Sequence, residues 1–244
     1  MEYELSLYTN QGSREKNEDR IHCFICKGNT VAIVADGMGG HGDGDMAAGE
    51  VVNTIESCFR LQPIVSEENI RNIMEAANQN VLELQKNGKN MRSTVVALFH
   101  SKENSIVAHA GDSRLYCVNG YRMVYKTKDH SVTQMAVEMG AIEERNMKYS
   151  EDRNRVLRSM GNRECKVSIY ELKDKEKKAK GFLLCTDGFW EHFDDKTICK
   201  MIRFAEYDPN RWMDLMVAKI AEEADDRQDN YSAITLVERR KKSE

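Results

Sequence analysis

The chain has 244 residues, and its 36 lysines and arginines against 40 acidic residues give a formal net charge of −4 at pH 7. This balance does not favour nucleic-acid binding as the main role, and no apolar run approaches the roughly eighteen residues that a membrane span requires. Residues 1–5 show neither the basic start nor the apolar core of a signal peptide, so we expect a cytoplasmic protein that binds no membrane. With two prolines and no flexible linker, the sequence predicts one domain over residues 1–240 and a basic tail at 241–244.

The seven cysteines are an odd number and are scattered along the chain, mostly in apolar runs. This usage indicates reduced thiols in a cytoplasmic compartment. Cys23 and Cys26 form one Cys-x-x-Cys pair, but no second pair accompanies it, and an alternating strand directs residues three apart to opposite faces. The sequence therefore does not favour zinc binding at this pair.

The first third of the chain predicts three strands followed by two amphipathic helices. Strands are expected at 3–10, 21–26 and 30–35, with a turn dense in charge between the first two. Helices are expected at about 45–60 and 67–86, because apolar residues recur there along one stripe. Each helix is therefore expected to cover a sheet with its apolar face.

The middle of the chain changes to a period of two, which is typical of strands. Strands are expected at 93–100, 105–110, 115–118 and 121–125. Asn119-Gly120 joins the last two and is a strong hairpin signal, so this region predicts an antiparallel sheet. The remaining elements are expected to be a short helix at 131–139, strands at 166–172 and 181–186, helices at 195–205 and 210–224, and a strand at 231–238. The order predicts an α+β sandwich with antiparallel sheets inside and helices outside.

A glycine-rich turn after the apolar run 31–35 is the most informative stretch of the sequence. Asp36 stands at the end of this predicted strand, and five glycines lie between it and the following helix. Such a turn lets the backbone approach a ligand closely, and a carboxylate held at a rigid strand end is suited to binding a metal. Taken alone, the pattern is equally compatible with a tight strand-to-helix connection capped by an aspartate.

Acidic residues recur at other predicted strand ends. Asp112 and Asp187 follow apolar strands, Asp229 stands immediately before the last strand, and Glu18 and Asp19 precede the second. Each alone is more simply explained as a turn residue, but clustered carboxylates repel one another unless a cation compensates. Because oxygen ligands without a histidine and cysteine set suit hard ions, these residues favour Mg²⁺ or Mn²⁺ over zinc.

Short motifs along the chain are highly specific when taken together. In chain order they are Arg14-x-x-x-Glu18-Asp19, Ala35-Asp36-Gly37-Met38-Gly39-Gly40-His41, Ser93-Thr94, Gly111-Asp112-Ser113-Arg114, Asp129-His130-Ser131, Thr186-Asp187-Gly188 and Asp229-Asn230. In this order they resemble the metal-dependent protein serine/threonine phosphatases of type 2C (the PPM family) in the bacterial form. The resemblance extends from about residue 5 to 238. It implies a four-layer α-β-β-α sandwich of two antiparallel sheets flanked by helix pairs.

The resemblance also implies a site for two Mn²⁺ or Mg²⁺ ions at one end of the sandwich, with a third, weaker metal position. The implied metal-binding residues are Glu18, Asp36, Gly37, Asp112, Asp187 and Asp229. Asp36 would bridge two ions, the Gly37 carbonyl would bind one, and Glu18 would act through a bound water. Asp112 matches the third position. Arg14 matches the phosphate-binding arginine, and its planar fork suits two phosphate oxygens.

The sequence departs from the family pattern at two positions. Met38 stands where some eukaryotic relatives carry a histidine assigned as general acid, and Arg92 stands where relatives often have glycine. The proton donor is therefore open. His41, three residues further along the turn, has a suitable ordinary pKa, but it could instead cap the helix or pack beneath the turn, leaving a metal-bound water as the donor. Residues 133–160 match the family's variable flap, whose charged residues are expected to shape substrate choice.

These implications favour a phosphatase that hydrolyses phosphoserine and phosphothreonine in proteins by direct attack of a metal-activated water. The expected partners are phosphoproteins, substrates of a cognate serine/threonine kinase, and the expected state is a monomer that binds neither nucleic acid nor membrane. One alternative is a catalytically silent relative that binds a phosphoprotein, although every matched metal position is acidic apart from Gly37, which would bind through its carbonyl. Another is a metal-dependent hydrolase of a different phosphoester.

Overall fold

Two five-stranded antiparallel sheets form the centre of the molecule. A computed structural model of the protein describes residues 3–39, 43–87, 90–173, 176 and 179–238. The first sheet contains, in spatial order, β1 (Tyr3–Asn10), β12 (Tyr231–Glu238), β11 (Gly181–Cys185), β8 (Arg114–Asn119) and β9 (Arg122–Lys126). The second contains β10 (Ser168–Glu171), β7 (Ser105–Ala110), β6 (Val95–His100), β3 (Asn29–Ala35) and β2 (Arg20–Cys26). A small two-stranded ribbon pairs β4 (Gly37–Gly39) with β5 (Met91–Ser93).

The helices lie on the outer faces of the two sheets and beside the site. They are α1 (Gly44–Leu61), α2 (Glu67–Leu84), α3 (Val132–Glu138), α4 (Asp187–Trp190), α5 (Asp195–Phe204) and α6 (Pro209–Glu223), with 3-10 helices at Gln85–Asn87 and Glu144–Tyr149. Several begin at side-chain caps: Ser66 accepts from the backbone of Asn69, and Asp208 accepts from two amides of α6. These caps satisfy amides that the first helical turn cannot pair internally.

Three apolar layers separate the four layers of backbone. One lies between α1, α2 and the second sheet, one between the two sheets, and one between the first sheet and α5 with α6. Strand β3 shows how alternation builds two of them, because Val31, Ile33 and Ala35 face the helices while Ala32 and Val34 face the other sheet. The predicted α-β-β-α sandwich is confirmed.

The loops that carry the acidic residues meet at one end of this sandwich. Antiparallel pairing places Arg20, at the start of β2, opposite Ala35, at the end of β3. In the other sheet, Cys185 at the end of β11 lies opposite Ala233 near the start of β12. Because the chain reverses between neighbouring strands, residues that precede β2 and β12 lie at the same edge as residues that follow β3, β7 and β11.

Local structure differs from the sequence prediction at three places. The strand expected at 93–100 is interrupted at Thr94, which separates β5 from β6. The glycine-rich turn begins as a strand, β4, that pairs with β5. Helix α4 was not predicted, because four residues are too few to show a helical period. Cys23 and Cys26 do lie on opposite faces of β2, packing in different apolar layers.

Two further expectations concern the membrane and the chain end. In the described ranges, none of the helices is both long enough and apolar enough to cross a membrane. Residues 241–244, the predicted basic tail, lie outside the described residues. The single-domain boundary at residue 240 therefore stays a prediction.

Candidate active site

A cavity of about 800 Å³ lies at the end of the sandwich where these loops meet. Its lining includes all the described residues that the family resemblance assigns to metal or phosphate, namely Arg14, Glu18, Asp36, Gly37, Asp112, Asp187 and Asp229. The fold thus brings side chains from both ends and the middle of the chain to one place. His41 lies outside the described residues, so its role as proton donor stays a prediction.

Asp36 is held by the residue that interrupts the neighbouring strand. Its backbone N–H donates to Thr94 Oγ1 at 3.0 Å, and the Thr94 N–H donates back to the Asp36 carbonyl at 2.8 Å. Thr94 Oγ1 also shares a hydrogen bond of 2.7 Å with Ser113 Oγ, next to Asp112. The break between β5 and β6 therefore fixes the backbone at Asp36 and links it to the loop after β7.

The loop that carries Arg14 and Glu18 is tied to the start of β12 by Asn230. The Asn230 side chain accepts from the Glu18 N–H at 2.9 Å and donates to the carbonyls of Gln11 and Lys16 at 2.8 and 3.0 Å. The Glu18 carboxylate in turn accepts from the Gly44 N–H at 3.0 Å, at the first residue of α1. A carboxylate is favoured at a helix N-terminus, because unpaired amides and the helix dipole are positive there.

Asp187 begins the short helix α4, which also fixes the backbone of Asp112. The Gly188 N–H donates to Asp187 Oδ1 at 2.7 Å, holding the carboxylate over the helix start. Three residues later, the Trp190 indole N–H donates to the Asp112 carbonyl at 2.9 Å. The ends of β7 and β11 are therefore connected by one buried side chain.

A buried ion pair packs against the ring of Trp190. The Arg114 guanidinium donates two hydrogen bonds of 2.7 Å to the carboxylate of Asp129, and both residues are buried. The guanidinium carbon lies 3.3 Å from the centre of the Trp190 ring, in cation–π geometry. Removing either partner would leave a buried charge unpaired, which is strongly destabilising.

Negative charge is concentrated in this cavity. Burial and the charge of Asp187 raise the pKa of Asp36 well above that of an exposed aspartate, and the same two causes raise the pKa of Asp112. Burial and the charge of Asp229 raise the pKa of Asp187 itself. Each carboxylate is thus made less acidic by enclosure and by its neighbours, which a divalent cation would reverse.

Unpartnered oxygen atoms indicate that the cavity suits such cations. Asp112 lines the cavity, is buried, and its Oδ1 finds no hydrogen-bond partner among the described residues; Asp19 Oδ1 is likewise buried and unpartnered there, but Asp19 does not line the cavity. A buried carboxylate oxygen without a partner is costly unless a cation or donor meets it. The surrounding donors are carboxylates and a backbone carbonyl, the ligands that Mg²⁺ and Mn²⁺ prefer.

The carboxylates line one cavity, but their side chains do not converge on a common point. Within the described ranges, no three acidic, histidine or cysteine side chains converge closely enough to hold one ion. The Asp229 carboxylate is engaged by Arg14, whose Nε and Nη2 donate to its two oxygens at 2.8 and 2.7 Å. These two side chains are 56% and 39% exposed, so rotation of the side chains alone can release Asp229.

Two acidic residues of this region match no metal position of the family resemblance. Asp19 accepts from Thr186 Oγ1 at 3.1 Å, and burial together with the charge of Asp187 raises its pKa. Glu191 lies one helical turn after Asp187, and burial together with the Asp187 charge raises its pKa to about 7. The sequence feature that could have identified Glu191 is its spacing of four residues from Asp187, which places both residues on one helix face.

Arg92, one of the two departures from the family pattern, lies in β5 directly opposite Met38 of β4. Its neighbours Met91 and Ser93 are fully buried, whereas Arg92 is exposed. Since side chains alternate along a strand, Arg92 projects from the same face as Met38, which lines the cavity. Arg92 thus stands in a strand and not in a turn, opposite a residue that lines the cavity, but it is not itself a lining residue.

Gly37→Ala is expected to destabilise the protein, because a Cβ at this position would lie within 3.0 Å of the backbone oxygens of Gly44 and Glu18. We expect a loss of about 1–3 kcal/mol of unfolding free energy, measured by urea denaturation without added metal. The matched control is Gly49→Ala in α1, where the added Cβ meets nothing within 4 Å. That variant should be neutral or more stable by about 0.4–1 kcal/mol. Equal stability of both variants would contradict the close packing of β4 against α1.

Comparison with known proteins places this arrangement in a family. The protein phosphatase 2C family model matches residues 9–223. The serine/threonine phosphatase stp of Listeria welshimeri serovar 6b is 32% identical over 186 residues, covering 72% of this chain and 73% of that protein. The chain belongs to the protein phosphatase 2C family. Protein phosphatase PhpP of Streptococcus pneumoniae serotype 2 is a more distant relative, 27% identical over 169 residues that cover 66% of this chain and 69% of that protein.

Solved structures confirm the fold of this phosphatase. The serine/threonine phosphatase PstP/Ppp of Mycobacterium tuberculosis superposes with a TM-score of 0.83 at 20% identity, covering 98% of this chain and 99% of that one. Stp1 of Staphylococcus aureus gives 0.84 at 23% identity, with 98% and 96% covered. A structure of the PstP catalytic domain in complex with two manganese ions gives 0.78 at 20% identity, with 96% and 97% covered.

Proposed function

We propose that this protein phosphatase 2C member hydrolyses phosphoserine and phosphothreonine in proteins, by direct attack of a water activated at a two-metal carboxylate site. The observation that carries the proposal is that one cavity is lined by Arg14 together with all of the family's metal-binding positions. The relatives named as serine/threonine phosphatases support the substrate class. The PstP structure with two manganese ions supports Mn²⁺ or Mg²⁺ as the cofactor.

The residues of the chain have separable roles in this proposal. Asp36, Asp187, Asp229 and the Gly37 carbonyl would hold two ions, with Glu18 beside them and Asp112 at a third position. Two such ions would supply an activated water and would neutralise charge on the phosphoryl group. Arg14 would bind two phosphate oxygens, since its fork already makes the equivalent contact with the Asp229 carboxylate.

One assay separates this function from its alternatives. Hydrolysis of an aryl phosphate and of a phosphothreonine peptide is measured with Mn²⁺ and with a chelator. Hydrolysis of both substrates that depends on Mn²⁺ is the expected result. Binding of the phosphopeptide without turnover would indicate a catalytically silent relative, and turnover of the aryl phosphate alone would indicate another phosphoester substrate.

We also propose that the partners are phosphoproteins modified by a cognate serine/threonine kinase, and that the enzyme acts as a cytoplasmic monomer. The named relatives support phosphoprotein substrates. Sedimentation of the purified protein tests the monomer, and dephosphorylation of the kinase's products tests the partnership.

Arg14→Ala is expected to lower kcat/KM by about 30- to 1,000-fold, equivalent to about 2–4 kcal/mol, because a charge-assisted contact to the phosphoryl group is lost. Metal binding, measured by calorimetry with Mn²⁺, should be retained, since the arginine offers no ligand to a cation. Arg14→Lys keeps the charge without the fork and should lie between Arg14→Ala and wild type. Loss of Mn²⁺ binding in Arg14→Ala would show that the arginine is needed to position Asp229 instead.

A further inference from the structure

A second cavity, of about 530 Å³, adjoins the catalytic one. The two cavities share Arg14, Asn154, Asp187 and Asp229 as lining residues. A peptide whose phosphorylated side chain enters the catalytic cavity therefore has its neighbouring residues beside, or inside, the second cavity. The second cavity lies on the side of Asp187 that carries helix α4 and the flap.

The flap supplies two cations to this second cavity, Lys148 and Arg153. In the part of the chain that the structure describes, neither forms an ion pair or a side-chain hydrogen bond with an acidic group. The Lys148 ammonium makes a cation–π contact, with its Nζ 5.3 Å from the centre of the Tyr149 ring. Tyr149 is itself 76% exposed and offers an aromatic wall to a bound chain.

Most acidic side chains of the second cavity are already engaged. Asp225 accepts from Arg227 at 2.8 Å, and Glu223 pairs with both Lys219 and His192. Glu191 lies close enough to be influenced by the charge of Arg153, but no ion pair joins them. The positive charge of the two flap residues is thus left available to a ligand, at the side of the cavity that faces the flap.

We propose that this second cavity is a subsite for acidic residues that flank the phosphorylated residue of the protein substrate, with Arg153 and Lys148 binding their carboxylates. The proposal rests on the phosphatase function proposed above and narrows its substrate class to acidic phosphorylated segments. An arginine fork binds a carboxylate with two parallel hydrogen bonds, and the exposed Tyr149 ring packs against the backbone or an apolar residue of the same segment.

The test compares phosphothreonine peptides that differ only in flanking charge. One peptide carries aspartates before the phosphothreonine, one carries them after it, and a third has asparagines at all these positions. Wild type should show kcat/KM about fivefold to tenfold higher for one of the acidic peptides, mainly through a lower KM, at low ionic strength. The side on which aspartate is preferred gives the direction in which the substrate chain runs.

Variants then assign the preference to the cavity. Arg153→Ala should bring the ratio of acidic to neutral peptide close to one, and Arg153→Glu should favour a peptide with lysines at the same positions. The matched control is Arg155→Ala, since Arg155 is two residues away, is already paired with Asp152 at 2.9 Å, and does not line the cavity. It should keep the wild-type ratio. Melting temperatures confirm that each variant is folded.

The outcomes distinguish this proposal from the function on which it rests. Equal kcat/KM for all three peptides in wild type, or an unchanged preference in both Arg153 variants, would overturn the acidic subsite while leaving the phosphatase function intact. Absence of Mn²⁺-dependent turnover on the peptides and on an aryl phosphate would overturn the phosphatase function, and the subsite with it.

Discussion

Asp187→Asn is expected to lower kcat on the order of a thousandfold or more, because it removes the charge of a residue that we propose as a direct metal ligand. After burial, the charge of Asp187 is the largest cause of the raised pKa of both Asp36 and Asp112, and all three residues line the same cavity. The asparagine preserves shape, and its side-chain oxygen can still accept from the Gly188 N–H. The measurement is kcat for an aryl phosphate over a full Mn²⁺ titration, since a merely weakened site would recover at high metal concentration.

The control for this variant is Asp214→Asn, which makes the same chemical change at an exposed position of α6. It should retain wild-type kcat and melting temperature. If Asp187→Asn kept more than about a tenth of the wild-type rate at saturating Mn²⁺, Asp187 could not be a direct ligand in the reaction.

Mn²⁺ is expected to raise the melting temperature of the wild-type protein by about 5–11 °C at a hundredfold excess over its Kd. An ion that binds only the native state at that excess adds about 2.7 kcal/mol, and for a chain of this length about 1 kcal/mol corresponds to about 2–4 °C. The stabilisation comes from the relief of repulsion among the enclosed carboxylates. Burial and the charges of neighbouring carboxylates raise the pKa of Asp36, Asp112 and Asp187. Differential scanning fluorimetry with Mn²⁺ and with chelator measures the shift.

Asp36→Asn should remove most of this rise, because it neutralises the carboxylate that we propose would bind both ions. Asp214→Asn again serves as the control and should show the full wild-type shift. A wild-type melting curve that does not respond to Mn²⁺ would exclude the two-metal site, whatever the activity measurements show.

The architecture could be predicted from the sequence because the signals that define it are local. The apolar run 31–35 predicts a strand buried on both faces, and β3 has residues in two apolar layers. The stripe of apolar residues on α1 and α2 predicts helices that cover a sheet, which is where they lie. The break at Thr94 and the four-residue helix α4 could not be predicted, since neither changes the periodicity over a long enough window.

The candidate site was predicted as a set of residues but not as an arrangement. The ordered motifs identified Asp36, Asp187 and the other positions, because each motif can be recognised within one short stretch of the sequence. The supports of those residues come from distant positions, such as Thr94 for Asp36 and Asn230 for Glu18. Hydrogen bonds across such separations depend on how the two sheets pair and pack, which no local pattern encodes.

The sequence by itself determined the elements, the antiparallel pairing and the types of residue gathered at the strand ends, because these follow from periodicity, turn chemistry and motif order. Only the tertiary structure decided which side chains of the site contact one another. It paired Arg14 with Asp229 and set Trp190 against Asp112. Beside the catalytic cavity, Lys148 and Arg153 have no acidic partner among the residues that the structure describes. Charge–charge contacts act over a few ångströms in space and not along the chain, so the partners of each charged side chain were fixed only when the two sheets and the flap came together.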